Sequence, residues 1–361
     1  MYFSYVWLVL PALFCWERAA YGHGLLLDAQ ILERGYAKIP HVSPYNIADY
    51  HVREADSQAV IADYCRKVSQ EFKRYGWEDN PCGEVQWSAD LQTASGMPLI
   101  YASFGSGRET TLFMGGVHPD ELSPIQLAFR FARYLSNNPD LYQKQGLRVV
   151  VAPLVAPDGF FRDRPLRTNG RIDVNRNFFT MDWYDKAHHA WQHRTAGAGR
   201  YFPGYFPNTE VETLFQVWLV DAYTPDKLFS VHAPLGFLDY DGPGDQKPSH
   251  LSRTEKKAKQ YVYEVSKQTE NYRVVDYSFY PGSLGNFAGN ERKVPTITLE
   301  LEATNPRGVH KYWEKFLPGF VRSVNYPFRR DHRPEPGNAS RFFAVYDEVF
   351  LKLQRMGLSL N

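Results

Sequence analysis

The spacing of apolar residues along the chain alternates between two periods. Apolar positions three and four residues apart predict helices at 45–75, from Ser123 onward, at 212–220 and at 256–268. Ser123 followed by Pro124 is typical of a helix start, because serine caps free backbone N–H groups and proline fits the first turn.

Runs of β-branched and aromatic residues predict strands between these helices. The runs cover 98–104, 111–117, 147–155, 228–231 and 296–301. The run at 147–155 is almost wholly apolar, as expected of a strand that is buried on both faces. Because strands alternate with helices, the pattern predicts an α/β fold with a largely parallel sheet.

The two ends of the chain depart from this pattern. Residues 2–16 are almost wholly apolar and small residues precede Gly22, so 1–22 is expected to be a signal peptide, with a buried strand as the alternative. Removal of a signal would predict a periplasmic or secreted protein without stable membrane insertion. Residues 326–361 are expected to form a C-terminal extension, a linker followed by a helix at 341–356.

Composition narrows the class of protein. The chain has 361 residues, of which 43% are hydrophobic and 22% charged, as in soluble globular proteins. A net charge of +1 and the lack of a basic run argue against a nucleic-acid partner. Cys65 and Cys82 remain after signal removal and fit a disulfide in an oxidising compartment, with two separate buried thiols as the alternative.

The most informative residues follow predicted strands. His118 and Glu121 come directly after the strand at 111–117, and His232 ends the strand at 228–231. In open α/β sheets, ligands bind at the carboxyl ends of the strands. Histidine and carboxylate suit catalytic zinc, which needs three protein ligands and one open position. A surface turn and a hydrogen-bonded structural histidine are the alternatives.

A second group of histidines competes for this assignment. His189 and His193 have the i, i+4 spacing of a helical metal site, and His188 lies beside them. They occur in a polar, glycine-flanked region that no predicted strand presents. A solvated helix face is therefore the preferred interpretation.

Further polar residues suit the chemistry of a hydrolase. Glu300 lies within an apolar strand, where a carboxylate is costly unless it is paired or functional, so it is the candidate general base. The alternative is an edge strand on which Glu300 and Glu302 both face solvent. Asn175 and Arg176 are candidates for gripping a substrate carboxylate, since guanidinium is a planar, two-pronged donor. Arg167 is a candidate for stabilising an oxyanion. Taken singly, each arginine is more typical of a surface residue.

Six segments, in this order, resemble the zinc carboxypeptidase superfamily. They are His118-x-x-Glu121, 157–159 (Pro-Asp-Gly), 173–178 (Asp-Val-Asn-Arg-Asn-Phe), the acidic pair in 209–213, 230–232 (Ser-Val-His) and 298–301 (Thr-Leu-Glu-Leu). The resemblance spans about 45–320 and implies a catalytic domain at 23–325. It also implies a mixed sheet flanked by helices.

The resemblance implies a role for each candidate residue. One zinc ion would be held by His118, Glu121 and His232, and Glu300 would be the general base. Asn175 and Arg176 would bind the substrate carboxylate, and Arg167 would assist at the oxyanion. Ala156 and Arg171 stand where the family usually has Asn and Gly.

Two segments resemble one branch of this family, the bacterial murein peptide amidases. They are 281–287 (Pro-Gly-Ser-Leu-Gly-Asn-Phe) and 232–236 with the acidic residues at 239–241 behind it. Those enzymes cut the bond between γ-D-glutamate and meso-diaminopimelate in peptidoglycan stem peptides. The tyrosine with which digestive carboxypeptidases cover the substrate is expected to be absent, because the nearest positions are Phe287 and Ala288.

Three other functions remain open from the sequence. An ordinary carboxypeptidase acting on peptide or protein C-termini would share every catalytic residue. An amino-acid deacylase would use a similar ligand set, although the Pro-Gly-Ser segment argues against it. A non-catalytic binding module with the same fold would be favoured if a ligand or the base were missing, and none is.

Overall fold

The computed structural model describes residues 50–77, 80–162, 172–244 and 251–330. The predicted signal peptide, Arg167 and the predicted helix at 341–356 lie outside the described residues. Within the described residues, no helix is long and apolar enough to cross a membrane.

One eight-stranded sheet forms the centre of the described domain. Its strands are β1 (Ser88–Gln92), β2 (Pro98–Phe104), β3 (Glu109–Met114), β4 (Leu147–Ala152), β5 (Lys227–His232), β6 (Phe237–Asp241), β7 (Val274–Val275) and β8 (Thr296–Glu300). Their order is β1-β2-β4-β3-β5-β8-β6-β7. The central strands β4, β3, β5 and β8 are parallel, whereas β1, β2 and β6 pair antiparallel with their neighbours, apart from the parallel β6–β7 pair.

Six longer helices flank the sheet. They are α1 (Ser57–Arg74), α2 (Leu122–Asn137), α3 (Trp183–Arg194), α4 (Val211–Tyr223), α5 (Arg253–Gln268) and α6 (Val309–Asn325). One-turn helices cover Asp140–Gln143 and Pro157–Phe160, and a π-helix covers Gly285–Glu291. The predicted α/β fold, a mixed sheet flanked by helices, is confirmed.

Strand alternation divides the buried apolar side chains between two cores. Phe113, Val151 and Phe229 belong to the core on one face, which the apolar sides of α1, α2, α5 and α6 complete. Leu112 and Val150 belong to the core on the other face, beneath α4 and the π-helix. Both faces of the central strands are thus covered, and apolar residues therefore occupy both faces of these strands rather than one.

Several boundaries differ from the sequence pattern. Helix α1 begins at Ser57 rather than near residue 45, and the strands β1, β6 and β7 and the helix α6 were not predicted. Of the two alternatives for the cysteines, the structure has the disulfide Cys65–Cys82, which joins α1 to the turn at 81–84. Tyr326 and Phe328 are buried in the first core, so the domain continues past the predicted start of the extension.

Candidate active site

The parallel strands β3, β5 and β8 bring three polar segments to one edge of the sheet. His118 follows β3 by four residues, His232 is the last residue of β5, and Glu300 is the last residue of β8. His232 and Glu300 are paired across β5 and β8. Gly116 has a φ of +58°, and a Cβ there would lie 2.6 Å from the Leu154 side chain, so the turn that leads to His118 requires glycine.

The side chains of His118, Glu121 and His232 converge on one point. Their candidate ligand atoms all lie within 4.8 Å of one another, and among the described residues this is the only such group of three. His118 Nδ1 lies 2.8 Å from Glu121 Oε1 and 3.2 Å from His232 Nδ1. Two imidazole nitrogens and one carboxylate are the donor set of a catalytic zinc site, which keeps its fourth position open.

Neighbouring groups hold each of these side chains in orientation. His118 Nε2 lies 2.9 Å from Asp173 Oδ1, and His232 Nε2 lies 3.0 Å from Ser230 Oγ. These contacts turn both Nδ1 atoms toward the common point. The backbone N–H of Ala233 donates to Glu121 Oε2. Such partners of the distal ring nitrogen are typical of metal-binding histidines.

Charge at this point favours a cation. Burial by itself would raise the pKa of Glu121, but the adjacent His118 and His232 outweigh that effect and hold its pKa below the usual range. Glu121 is 4% exposed. A buried carboxylate kept ionised beside two imidazoles fits the binding of a divalent metal ion.

Glu300 lies beside this cluster, and its pKa shifts in the direction opposite to that of Glu121. Burial, and then the negative charge of Glu121, raise the pKa of Glu300 to about 8. The N–H of Leu235, which donates to Glu300 Oε2 over 3.3 Å, and the charge of Arg176 act in the other direction. A divalent cation on Glu121 would offset its negative charge and lower the pKa of Glu300 from this raised value, toward the range of a useful general base.

Asn175 and Arg176 lie on the segment that carries Asp173. Asp173 Oδ1 accepts the backbone N–H of Asn175 as well as contacting His118. One carboxylate thus positions both the metal ligand and Asn175, which with Arg176 forms the candidate carboxylate clamp. The Asn175 Oδ1 accepts the N–H of Leu284, which leaves its NH2 group to donate elsewhere. The Arg176 guanidinium lies 3.9 Å from the centre of the Tyr280 ring.

The other histidine candidates do not join this cluster. His189 and His193 are exposed on α3 with their rings 4.1 Å apart, and they belong to no group of three candidate ligands among the described residues. His188 packs against Trp183 and Trp191, and burial lowers its pKa. Arg167 is outside the described residues.

The sequence does not identify two residues of the site individually. Asp173 belongs to the motif at 173–178, and Ser230 belongs to the motif at 230–232. The signal for Ser230 was present, because residues two apart on a strand share a face and Ser230 must therefore lie beside His232. Asp173 had no such signal, since it contacts His118 across 55 residues of sequence.

Known structures with the same fold include several peptidases. Bovine thrombin-activatable fibrinolysis inhibitor, solved with a tick carboxypeptidase inhibitor, has a TM-score of 0.56 at 14% identity, over 77% of this chain and 97% of that one. Carboxypeptidase A of Helicoverpa armigera has a TM-score of 0.51 at 12% identity, over 82% and 78% of the two chains. At these identities the similarity establishes the fold.

The murein-tripeptide amidase of Escherichia coli O157 has a TM-score of 0.45 at 20% identity, over 67% of this chain and 91% of that one. That score supports no conclusion about substrate. No curated protein sequence matches the chain. The sequence model of the zinc carboxypeptidase family matches residues 92–318, which include all three converging side chains and Glu300. The chain therefore belongs to the zinc carboxypeptidase family and is a zinc metallopeptidase.

Proposed function

We propose that this peptidase hydrolyses an amide bond in peptidoglycan stem peptides, between γ-D-glutamate and meso-diaminopimelate. The observation that carries the proposal is the position of segment 281–287, whose sequence resembles the murein amidase branch. This segment packs directly on the candidate carboxylate clamp: Leu284 donates to Asn175, and Gly282 O accepts the N–H of Phe178. The residues that suggest a cell-wall substrate thus line the place where the released residue would bind.

His118, Glu121 and His232 would hold one zinc ion, which when bound polarises the substrate carbonyl and makes water more acidic. Asp173 and Ser230 keep the imidazole rings oriented for this task. Because the donors are already gathered, little side-chain ordering remains to be done when the ion binds.

Glu300 would transfer protons, first as general base and then as general acid. Its carboxylate accepts the proton of the attacking water and afterwards delivers it to the amine that leaves, so no net charge is created on the enzyme. The half-buried environment that raises its pKa makes it a stronger base than an ordinary glutamate. Arg176 and Asn175 would bind the carboxylate of the released residue, and Arg167 would assist at the developing oxyanion.

A periplasmic or secreted location would suit this substrate, and the apolar segment 2–16 supports it. The disulfide Cys65–Cys82 fits the same oxidising compartment. The partner is then a peptide, with no role for nucleic acid.

One observation favours a second candidate, a carboxypeptidase that acts on ordinary C-termini. Phe287 and Ala288 are buried in the core and cover no substrate. Tyr277, however, is 55% exposed and stacks on Phe237, whose Cα pairs with that of Glu300. An exposed tyrosine thus packs on the residue that pairs with Glu300, and digestive carboxypeptidases cover their substrate with a tyrosine.

Mass spectrometry of purified muropeptides incubated with the zinc-loaded enzyme separates the two candidates. Release of diaminopimelate from a tripeptide stem supports the cell-wall function and locates the bond. Release of C-terminal residues from ordinary peptides, with muropeptides intact, would replace it with the second candidate. The Glu300→Gln variant serves as the control for contaminating hydrolases.

A further inference from the structure

Helix α3 carries two histidines on its exposed face. Trp183, Ala187 and Ala190 form its buried face, whereas His189 and His193 are exposed. Residues four apart on a helix lie one above the other, so the two imidazoles share one stripe of the surface. The centres of the two rings are 4.1 Å apart, and their planes are inclined by 41°. The two rings are thus already neighbours in the folded chain.

Neither ring has a bonding partner in the part of the chain that the structure describes. There, His189 and His193 contact each other and form no hydrogen bond or ion pair. His188, which precedes them directly, instead packs edge-on against Trp183 and Trp191. Packing therefore accounts for the position of His188 but for neither of the two exposed histidines.

Two imidazoles placed in this way suit a metal ion. Nitrogen ligands lie about 2.0–2.1 Å from zinc, so two nitrogens on one tetrahedral ion are roughly 3.3 Å apart. Rings whose centres are 4.1 Å apart reach this separation by rotation of the side chains, with no movement of the helix backbone. Imidazole suits Zn²⁺, Cu²⁺ and Ni²⁺, whereas Mg²⁺ and Ca²⁺ take oxygen ligands. The pair therefore favours a divalent transition-metal ion.

The charges along this helix also favour a cation. Asp185 is exposed and lies one turn before His189, in the same row of side chains. The cations of the helix are directed to other groups, since Lys186 lies 3.8 Å from Asp182 and Arg194 donates to a backbone carbonyl. A positive ion at the two imidazoles thus has a carboxylate within one turn of the helix.

Helix α3 is attached at both ends to the surroundings of the candidate carboxylate clamp. Trp183 at its start donates to the carbonyl oxygen of Arg176 at 2.9 Å. Arg194 at its end donates to the carbonyl oxygen of Phe279 at 3.1 Å, next to the Tyr280 ring that lies over Arg176. An ion bound by residues one turn apart stabilises the folded helix, because the unfolded chain does not bring the two ligands together.

We propose that His189 and His193 form a second metal site, in which the two imidazoles and water bind a divalent transition-metal ion such as Zn²⁺. Among the described residues, no third His, Cys, Asp or Glu lies close enough to complete a group of three ligands with them. Two protein ligands hold an ion less tightly than three, so this ion exchanges with the medium more readily than the ion at the candidate active site. Its role is to stabilise α3 from the exposed side.

Equilibrium dialysis of the zinc-loaded enzyme against added Zn²⁺, at about pH 7.5, measures this site, because imidazole binds a metal ion in its neutral form. The wild type should bind one further ion per chain, and its unfolding temperature should rise as the site fills. His189→Gln and His193→Gln should each weaken this binding by more than about 10-fold. The double variant should be little worse than either, because a single imidazole cannot chelate.

His310→Gln is the matched control, since His310 is a single exposed histidine on α6. It should bind the further ion as the wild type does. Without added metal, all of these variants should hydrolyse peptides at the rate of the wild type and unfold at its temperature, because the three histidines are exposed.

Three results would overturn the proposal. Lack of saturable binding beyond the catalytic ion would make the pair a solvated helix face. A further ion that is still bound by the double variant would belong to another site. Losses that add up in the double variant would indicate two independent weak ligands rather than one chelate.

Discussion

Buried carboxylates in two regions of this domain are exposed to nearly the same extent, and yet their pKa values shift in opposite directions. Glu121 at the candidate metal site is 4% exposed, and Glu210 and Glu212 at the start of α4 are each 5% exposed. His118 and His232 hold the pKa of Glu121 below its usual range. Burial raises the pKa of Glu210 to about 7 and that of Glu212 well above its usual value.

The difference lies in the partners. Glu121 faces two imidazoles and accepts a backbone N–H from Ala233, so its negative charge is compensated. Glu212 faces Glu210 and Asp158, whose negative charges add to the effect of burial. Depth of burial therefore does not fix the ionisation of a carboxylate, whereas the charge of its neighbours decides the direction in which its pKa shifts.

The largest expected effect is at Glu121. Replacing it with glutamine removes the one negative charge among the three ligands, so we expect zinc content to fall toward zero and kcat/KM to fall by more than about 100-fold. Metal analysis by mass spectrometry and a peptide hydrolysis assay measure these changes. Glu212→Gln, an equally buried substitution, should keep its zinc, and loss of zinc there would contradict the comparison.

The next largest effect is expected at Glu300. Glu300→Gln removes the base without removing a ligand, so kcat should fall by about 10²–10⁴-fold while zinc stays bound. Steady-state kinetics with parallel metal analysis test this. Glu302, which pairs with Lys315 at 2.8 Å, supplies the control substitution Glu302→Gln, which should retain activity. Full activity in Glu300→Gln would remove this residue from the mechanism.

A smaller effect is expected at Asp173. Asp173→Asn should weaken zinc affinity or activity by about 10–100-fold, because the His118 ring would lose its charged partner. A competition titration with a chelator measures the affinity. Asp226 is also fully buried, but accepts backbone N–H groups of Thr110 and Arg330. Asp226→Asn should leave zinc affinity unchanged, and an equal loss in both variants would point to a general structural effect.

The smallest effect concerns stability. The pKa of Glu210 rises from 4.5 to about 7 on folding, so its protonated form stabilises the native state below pH 4.5. That contribution is lost as the pH rises through about 7, by up to about 3 kcal/mol. Unfolding of the wild type and of Glu210→Gln, followed between pH 4.5 and 8, should show a weaker decline for the variant. Parallel pH profiles would show that Glu210 is not the group responsible.

The periodicity of the sequence predicted the central strands, because the apolar positions along a strand follow from which of its side chains are buried. Strand β2 has the predicted bounds, β5 extends one residue beyond its predicted bounds at each end, and β8 ends one residue earlier than predicted. Strand β6 was missed because it is short and two of its five residues are aspartates. Helix α6 was missed although its apolar stripe is regular, and it contains Pro318, which usually ends a helix.

The sequence by itself determined the donor types of the candidate site and the local turn that presents two of them. His118 and Glu121 are three residues apart after a glycine-containing turn, and this proximity is a property of the chain alone. Tertiary structure decided the rest. His232 and Glu300 reach the site only because β3, β5 and β8 are adjacent and parallel, and Asp173 contacts His118 across 55 residues of sequence. Periodicity records which face of an element is buried, but strand order and register arise from packing of the whole chain, and no local pattern encodes them.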